Sequence, residues 1–435
     1  MRPPVTSRPS GSPWWLLALL LLPAAVLLIH RPSLDAYLFE DDVNWVLAGR
    51  VLTLPTVFAV TGQTHFYRPI VALYFLIFAG WFRGSTILLH ALNIGLHILN
   101  ALLVFILARR LGLLGPGALA AGLVMAVLTR SVESVAWISG ISAILLTTFA
   151  LLAHILHLRG MNTGHRLAGA LSLACYAAAL LTHEASVALL PLLVLIDWLG
   201  RGRMERAEAF AALRSMAVRF LPHILLTAAY LITSYGVNRS NYVITEGHYQ
   251  LGWHAFDNLV RYLVALYVGR SALWSRIVTI LILIVALVWG SRPLRFGLIW
   301  MLLTLLPYCF FTWGLTDRYL YLPGVGFALA LGSMVPDLQT KLASTPLRLA
   351  TTLVVVFLTC RFAFFGLKTA RDQRSRTLVY RAYVERFLER HPSAKTEGTI
   401  EIPAPRSDEP PPRVIKNLLR LACDDPSLQI VVREP

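Results

Sequence analysis

Charged side chains are scarce in this sequence of 435 residues. Asp, Glu, Lys and Arg together make up 14% of it, whereas they account for roughly a quarter of a soluble globular domain. Hydrophobic residues make up 57%. Such a composition excludes an ordinary soluble domain and is typical of a polytopic membrane protein. We therefore predict an all-α membrane protein, in which the usual relation between chain length and domain number does not apply.

Cysteine and the common nucleotide-binding motifs are also lacking. The four cysteines are far apart in the sequence, which excludes a CxxC metal or redox site and a disulfide framework: Cys175, Cys309, Cys360 and Cys423. There is no GxxxxGK[ST], no GxGxxG after a strand, no GxSxG and no HExxH. By readable motif, the chain is therefore not an ATP-driven pump, a Rossmann enzyme or a serine hydrolase.

Long apolar runs dominate what is present. A helix needs about 20 apolar residues to cross a bilayer, and the first run, 14–29, follows a basic N-terminus without a small-residue cleavage site. We interpret it as a retained signal anchor with a cytoplasmic N-terminus. In total we predict about eleven spans: 14–29, 85–108, 115–130, 137–158, 166–182, 185–199, 217–235, 276–290, 296–313, 320–336 and 347–366.

The connecting segments divide by charge. Arginine-rich and acid-poor segments, such as 157–166 and 200–219, alternate with segments that carry acidic residues. The positive-inside rule places the first kind in the cytoplasm and the second kind outside. The net charge of +16 then reflects topology and contacts with lipid headgroups, and no nucleic-acid partner is predicted.

Two of the outer segments and the C-terminus are long. Residues 31–84 and 236–275 each contain an apolar stretch too short for a span, which favours an interfacial amphipathic helix. We predict a transmembrane domain over 1–366 and an extracytoplasmic tail over 367–435. The tail begins with a short helix and continues through a proline-rich linker.

The stretch "FEDD" (39–42) follows the first span directly and contains Asp41 and Asp42. Neighbouring carboxylates raise each other's pKa, which suits a general base and also a cation site. Three solvated acids at the start of an interfacial helix are an equally simple interpretation. No metal-ligand set and no cofactor are predicted, although a divalent cation is compatible with this stretch.

Arginines beside aromatic residues mark two further outer segments. In "HFYRPI" (65–70), Arg68 can bind a phosphate through two hydrogen bonds, or Arg68 and Tyr67 can anchor lipid headgroups. In "LTDRYLYLPGVG" (315–326), Arg318 with Tyr319 and Tyr321 suits an anionic lipid carrier or an aromatic belt.

Two tight outer turns also contain acidic residues. Glu133 lies in "SVESVAW" (131–137), and His183 and Glu184 lie in "THEAS" (182–186). Single acids at helix ends are often only solvated. Their position on the same side as "FEDD" makes them candidate acceptor-binding or supporting residues.

Taken together, these segments resemble the GT-C glycosyltransferases, in particular the transmembrane O-mannosyltransferases that carry tetratricopeptide repeats and their bacterial relatives. The similarity covers roughly residues 14–335. Four groups of segments contain it: "FEDD", "FYRPI" with 88–112, 132–159 with 180–199, and "DRYLYLPGVGFALALG" (317–332). The tail of about 70 residues is too short for a tetratricopeptide array.

The resemblance implies a fold, a reaction and site residues. The fold is a GT-C-like bundle, and the reaction moves a sugar from a polyprenyl-phosphate carrier to a hydroxyl group at the outer face. Asp41 corresponds to the general base, with Asp42 binding acceptor or orienting the base. Arg318 corresponds to the partner of the carrier phosphate, and Arg68 is a second candidate.

Several alternatives stay open. The acceptor is a protein, a lipid or a glycan, and the sugar is not identified. A transporter or flippase of a lipid-linked substrate is the main alternative, although transporters usually place charged groups at the membrane midplane. The composition, rich in alanine and arginine, is compatible with a bacterial inner membrane.

Overall fold

The structure is a computed structural model. It describes residues 13–433 apart from 61–65, 201–205, 270–271, 342–344, 393, 395–397 and 407–408. Over these ranges the chain forms a helical bundle with a small α/β unit at its C-terminal end. The helices of the bundle are α1 (Pro13–His30), α2 (Asp41–Val51), α3 (Leu54–Phe58), α4 (Pro69–Phe75), α5 (Thr86–Arg110), α6 (Gly115–Val127), α7 (Val132–Ala136), α8 (Ile141–Thr163), α9 (Arg166–Leu180), α10 (Leu189–Gly200), α11 (Arg206–Asn238), α12 (Tyr242–Thr245), α13 (His254–Ala265), α14 (Leu273–Trp289), α15 (Arg292–Cys309), α16 (Tyr321–Lys341) and α17 (Thr345–Arg390).

Each of the eleven predicted apolar segments coincides with one of the longer helices, which confirms an all-α membrane architecture. Within the described residues, five helices are individually long and apolar enough to cross a membrane. The number rises to six if the bent pair formed by Gly115–Val127 and Thr129–Ala136 is one span. The other helices are shorter or less apolar, so the count of eleven spans stays a prediction.

Close contacts at glycine and hydrogen bonds from amide side chains join neighbouring helices of the bundle. A Cβ on Gly297 of α15 would lie 2.7 Å from the carbonyl oxygen of Gly326 on α16, so the two backbones meet directly. On α5, Asn93 donates to the carbonyl of Trp137 at 3.0 Å, and Asn100 donates to that of Ile144 at 3.1 Å. Helices in a bilayer gain little hydrophobic free energy from packing together, because lipid tails are as apolar as their side chains. They therefore usually associate through small residues and interhelical hydrogen bonds.

The two long connecting segments contain the short helices that their apolar stretches predict. In 31–84, α2, α3 and α4 are followed by a π-helical stretch, Leu76–Trp81. In 236–275, α12 precedes α13, whose Val260 and Leu263 are buried while Phe256 on the same helix is 62% exposed. The membrane depth of these helices stays a prediction.

The C-terminal region differs from the sequence interpretation in one respect. Helix α17 runs without a break from Thr345 to Arg390, across the boundary that the sequence places after residue 366. No glycine or proline occurs between 367 and 390, so nothing in this stretch stops a helix that has already begun. The predicted short helix of the tail is therefore the last part of the final long helix.

Beyond α17 the chain forms a β–α–β unit, β1 (Thr399–Ile402), α18 (Pro412–Cys423) and β2 (Gln429–Val432). The two strands pair in parallel, with Ile400 opposite Ile430. One face of α18 packs on this sheet and on the end of α17 through a separate small core that includes Phe387, Ile415 and Leu419. The other face of α18 contacts α2.

Candidate active site

The stretch "FEDD" forms the entry to α2 and gives its two aspartates different environments. Asp41 and Asp42 occupy the first turn of α2, where negative charge is favourable beside the helix dipole. Asp41 is exposed and Asp42 is buried. Glu40, the residue before the helix, has φ 46° and ψ −114°, a conformation that normally requires glycine.

Asp42 is engaged by the backbone on both oxygens. Its Oδ1 accepts a hydrogen bond from the Ser139 N–H at 2.6 Å, and its Oδ2 accepts one from the Phe39 N–H at 3.2 Å. Burial raises the pKa of Asp42 to about 8, and the two backbone donors only partly oppose this. The carboxyl group therefore ties α2 to the turn after α7 and is turned away from solvent.

Asp41 is linked electrostatically to aromatic and cationic residues from two other segments. Burial raises the pKa of the Tyr242 phenol, and the negative charge of Asp41 adds to this effect. The same phenol is also influenced electrostatically by Tyr319 and Arg318. The first outer segment and the turn before α16 are thus both within electrostatic reach of Tyr242 on α12.

Arg318 is held at this site mainly by aromatic rings. Its guanidinium carbon lies 4.7 Å from the centre of the Trp137 ring and 5.6 Å from that of Tyr319. The Arg318 N–H donates to Glu133 Oε2 at 3.2 Å, whereas the guanidinium is 3.9 Å from Glu133 Oε1. Burial raises the pKa of Glu133, with Arg318 opposing the shift. The charge of Arg318 is thus only loosely balanced by a carboxylate.

Arg130 and Trp137 are two site residues that the sequence interpretation missed. One terminal nitrogen of Arg130 donates to both carboxylate oxygens of Asp317 at 2.7 Å, and its Nε donates to the Ala265 carbonyl at 3.0 Å. Trp137 Nε1 donates to the Phe39 carbonyl at 3.1 Å. Trp137 closes the segment 131–137 that contains Glu133, and Arg130 directly precedes it, so their proximity in sequence was the available signal. Their partners, 98 or more residues away, were not visible in the sequence.

Arg68 belongs to a second polar cluster. Its Nε and one terminal nitrogen donate to Glu184 at 3.1 and 2.7 Å, and that same nitrogen lies 3.3 Å from His183 Nε2. Burial opposes ionisation of Glu184, but Arg68 outweighs it, so the pKa of Glu184 is lowered. Burial, assisted by Arg68, lowers the pKa of His183 to about 3, so the imidazole is neutral.

A stack of aromatic rings connects the two clusters. The Tyr308 ring is stacked on Tyr319 at 4.4 Å between centres and lies 6.0 Å from the His183 ring. Tyr67 is half-buried beside Arg68 in the chain. The structure therefore brings Glu133, Arg318 and Tyr319 together, with Arg68, His183 and Glu184 in an adjoining cluster. Asp41 is connected to the first group through its electrostatic effect on Tyr242.

Tyr321 lies apart from both clusters. Its hydroxyl is 2.7 Å from His97 Nδ1 and accepts a hydrogen bond from Asn100 at 3.2 Å, so this side chain is buried between α5 and α16. Within the described residues, no group of three or more His, Cys, Asp or Glu side chains could hold a metal ion.

Comparison with known proteins shows a likeness in structure rather than in sequence. No protein-family model matches the chain, and no curated protein matches it. Among solved structures, it is similar to ArnT from Cupriavidus metallidurans bound to undecaprenyl phosphate, with a TM-score of 0.55 and 13% identity, covering 98% of this chain and 87% of that one. The apo state of ArnT gives a TM-score of 0.55 at 14% identity, with 97% and 87% covered.

An archaeal protein has the same architecture. The oligosaccharyltransferase of Archaeoglobus fulgidus, tethered with an acceptor peptide, gives a TM-score of 0.51 at 15% identity, covering 89% of this chain and 58% of that one. At such identities the likeness shows the fold. The chain has the GT-C fold that the sequence resemblance predicts, whereas the similarity to O-mannosyltransferases in particular stays a prediction.

Proposed function

We propose that this protein is a membrane glycosyltransferase that moves a sugar from a polyprenyl-phosphate-linked donor to a hydroxyl group. One observation supports this proposal most strongly. An exposed carboxylate, Asp41, and a loosely balanced guanidinium, Arg318, both act electrostatically on the Tyr242 phenol within a GT-C fold. The bound states of the structural neighbours agree with it, since one holds undecaprenyl phosphate and another an acceptor peptide.

The proposed reaction assigns one role to each of these groups. Asp41 removes the proton from the acceptor hydroxyl, whose oxygen then attacks the anomeric carbon of the sugar. The bond from that carbon to the carrier phosphate oxygen breaks, and the phosphate leaves with the electron pair. Arg318 stabilises the negative charge that grows on the leaving phosphate. A single displacement of this kind inverts the anomeric centre.

Asp42 is assigned a supporting role. Both of its oxygens accept backbone hydrogen bonds, so it orients the helix that carries Asp41 and does not face a substrate. Tyr319 extends the aromatic surface beside Arg318, where a sugar or carrier headgroup can pack.

The residues of the Arg68 cluster are assigned a supporting role next to the acceptor. The guanidinium of Arg68 already has a close carboxylate partner in Glu184, so its charge is less available to a phosphate than that of Arg318. The neutral imidazole of His183 accepts a hydrogen bond from the Ala185 N–H at its Nδ1 and lies beside Arg68 with its Nε2, so we assign it to holding Arg68 in place beside the acceptor. Tyr67, next to Arg68 in the chain, borders the same cluster.

We place this site at the outer face of a bacterial inner membrane, with a cytoplasmic N-terminus and an extracytoplasmic tail. A lipid-linked donor reaches such a site from the bilayer, and a water-side acceptor reaches it from outside. The acceptor can be a protein, a lipid or a glycan.

The experiment that tests this function measures sugar transfer from labelled polyprenyl-phosphate donors by the purified protein in lipid. Three variants accompany the wild type: Asp41→Asn, Arg318→Ala and, as a control, Asp372→Asn, which changes an exposed acid on α17. We expect a loss of about 10²-fold or more for the first two, since a general base and a charge-stabilising donor each contribute at that level. The control should retain wild-type activity.

Two results would contradict the assignment. Full activity of Asp41→Asn would remove Asp41 as the base. Movement of an intact labelled lipid across the membrane, without sugar release from any donor, would favour the transporter or flippase instead.

A further inference from the structure

The described residues include only three non-glycine positions with positive φ, and all three lie where the first outer segment meets the tail. They are Glu40 at 46°, Arg83 at 48° and Asp424 at 56°. Asp424 ends α18 in the left-handed conformation that Asp adopts readily, whereas Glu40, with ψ −114°, needs the surrounding structure to hold it. Arg83 and Asp424 form an ion pair with each other at 2.6 Å. The positive-φ residues thus lie at two contacts between the outer segment and the tail, one at Glu40 and one at the Arg83–Asp424 pair.

Glu40 is the residue directly before Asp41, and its side chain is held from the C-terminal side of the chain. Arg413 of α18 donates to its Oε2 at 2.8 Å, and the Tyr380 hydroxyl of α17 lies 3.4 Å from its Oε1. The Tyr380 ring also packs against Phe39, with 5.2 Å between centres. Both carboxylate oxygens of a strained residue therefore contact residues more than 300 positions away.

The remaining contacts fasten α18 along the length of α2. Near the middle of α2, Asn417 donates to Asn44 Oδ1 at 2.8 Å. Near its end, Arg50 forms an ion pair with Asp424 at 2.7 Å, using the same oxygen that binds Arg83. Helix α2 is thus attached to the β–α–β unit at its start, its middle and its end.

We infer that Arg413 is a positioning residue, which sets the direction of Asp41 by holding Glu40 in its strained conformation. This inference rests on the proposed function, because it gives the tail a role in catalysis through Asp41. Without the ion pair, Glu40 can relax toward negative φ, and the first turn of α2 then rotates relative to Arg318. The β–α–β unit becomes part of the catalytic architecture.

A purely structural anchor would make the same contacts, so the test must separate the two roles. An anchor changes stability and the fraction of folded protein. A positioning residue changes the turnover of folded protein, and it acts only while Glu40 is present to be held. A double substitution at Glu40 and Arg413 therefore distinguishes them.

The experiment uses the full-length protein in lipid and a labelled polyprenyl-phosphate donor. The variants are Arg413→Gln, Arg413→Lys, Glu40→Gln and Glu40→Gln with Arg413→Gln. The matched control is Arg433→Gln, because Arg433 forms an ion pair of 2.6 Å with Glu401 inside the same β–α–β unit. Hydrogen exchange over residues 37–52 is measured on each variant.

We expect Arg413→Gln to lower kcat at most about fivefold with little change in KM, because the Arg413 side chain is 77% exposed and a surface ion pair contributes about 1 kcal/mol or less. Arg413→Lys should recover most of this loss, and the double variant should be no slower than the slower single variant. Exchange at the start of α2 should be faster in Arg413→Gln and unchanged in Arg433→Gln. Unchanged kcat in Arg413→Gln, or losses that multiply in the double variant, would overturn the inference.

The exchange measurement keeps this test separate from the proposed function. If the wild type transfers no sugar, the proposed function fails, and exchange alone decides whether Arg413 holds the start of α2. Wild-type exchange in Arg413→Gln would then refute the positioning role independently of any activity.

Discussion

At the scale of single residues, Asp41 and Asp42 show how adjacent acids acquire different chemistry. A helix turns by about 100° per residue, so neighbouring side chains at its start face different surroundings. Asp42 faces the Ser139 backbone and is buried, whereas Asp41 remains exposed near Tyr242. In the proposed reaction, two adjacent residues therefore provide the base and its support.

Burial of Asp42 predicts a specific dependence of stability on pH. Its pKa is raised from 3.8 to about 8 on folding, so between these values the folded protein binds more protons than the unfolded chain. The free energy of unfolding therefore falls as pH rises through this window. We expect the melting temperature of the wild type to drop between about pH 5 and pH 9 by several degrees more than that of Asp42→Asn.

Thermal melts of the purified protein in one detergent check this expectation. Other titrating groups are common to both proteins and cancel in the difference between them. Asp372→Asn, an exposed change of the same kind, should keep the wild-type slope. Parallel slopes for the wild type and Asp42→Asn would show that Asp42 ionises at its ordinary pKa in the fold.

At the scale of elements, α2 is placed by direct backbone contact. A Cβ added to Gly49 would lie 2.5 Å from the carbonyl oxygen of Phe75, at the junction of α4 with the π-helical stretch. Backbone atoms cannot withdraw as a flexible side chain can. The contact therefore fixes the distance between α2 and α4. The polar contacts with α18 hold α2 in addition.

Gly49→Ala should therefore displace α2 and impair the site. We expect a destabilisation of about 1–3 kcal/mol, typical of overpacking, together with a loss of transfer activity. Gly95→Ala is the matched control, because Gly95 lies on helix α5 with no atom within 4 Å of an added Cβ. That change should be neutral or slightly stabilising, since alanine favours a helix. Equal behaviour of the two variants in melting and transfer assays would contradict the contact.

At the scale of the whole molecule, the sequence predicted most of what depends on local pattern. Apolar runs located the eleven longer helices because burial in lipid requires uninterrupted apolar length. The charge of the connecting segments pointed to one face, and Glu133 and Arg318 from two of those segments lie 3.9 Å apart. That Asp41 acts together with them stays a prediction. These features follow from residues close together in the chain.

What the sequence did not predict depends on pairs far apart in the chain. Arg68 with Glu184, Arg130 with Asp317, and Arg413 with Glu40 are separated by 116, 187 and 373 residues. Charge counting cannot choose among the many alternative partners of each arginine. For the same reason the docking of α18 on α2 was not foreseen, and Tyr321 was assigned to the site although it lies between helices.

The orientation of the molecule in the membrane gives the last prediction. Thr245 is exposed on α12, three residues after Tyr242, the phenol whose pKa the charge of Asp41 raises. His165 is exposed in the basic turn between α8 and α9. The positive-inside rule puts the basic turn in the cytoplasm and the candidate site outside.

Single cysteines at 165 and 245, in a chain whose four native cysteines are replaced by alanine, report these two faces. In intact cells, a membrane-impermeant maleimide should label Thr245→Cys and leave His165→Cys unlabelled until the cells are opened. The reverse pattern would place Asp41 and Arg318 in the cytoplasm, where the acceptor would have to be an intracellular molecule, and would contradict the proposed outer-face reaction.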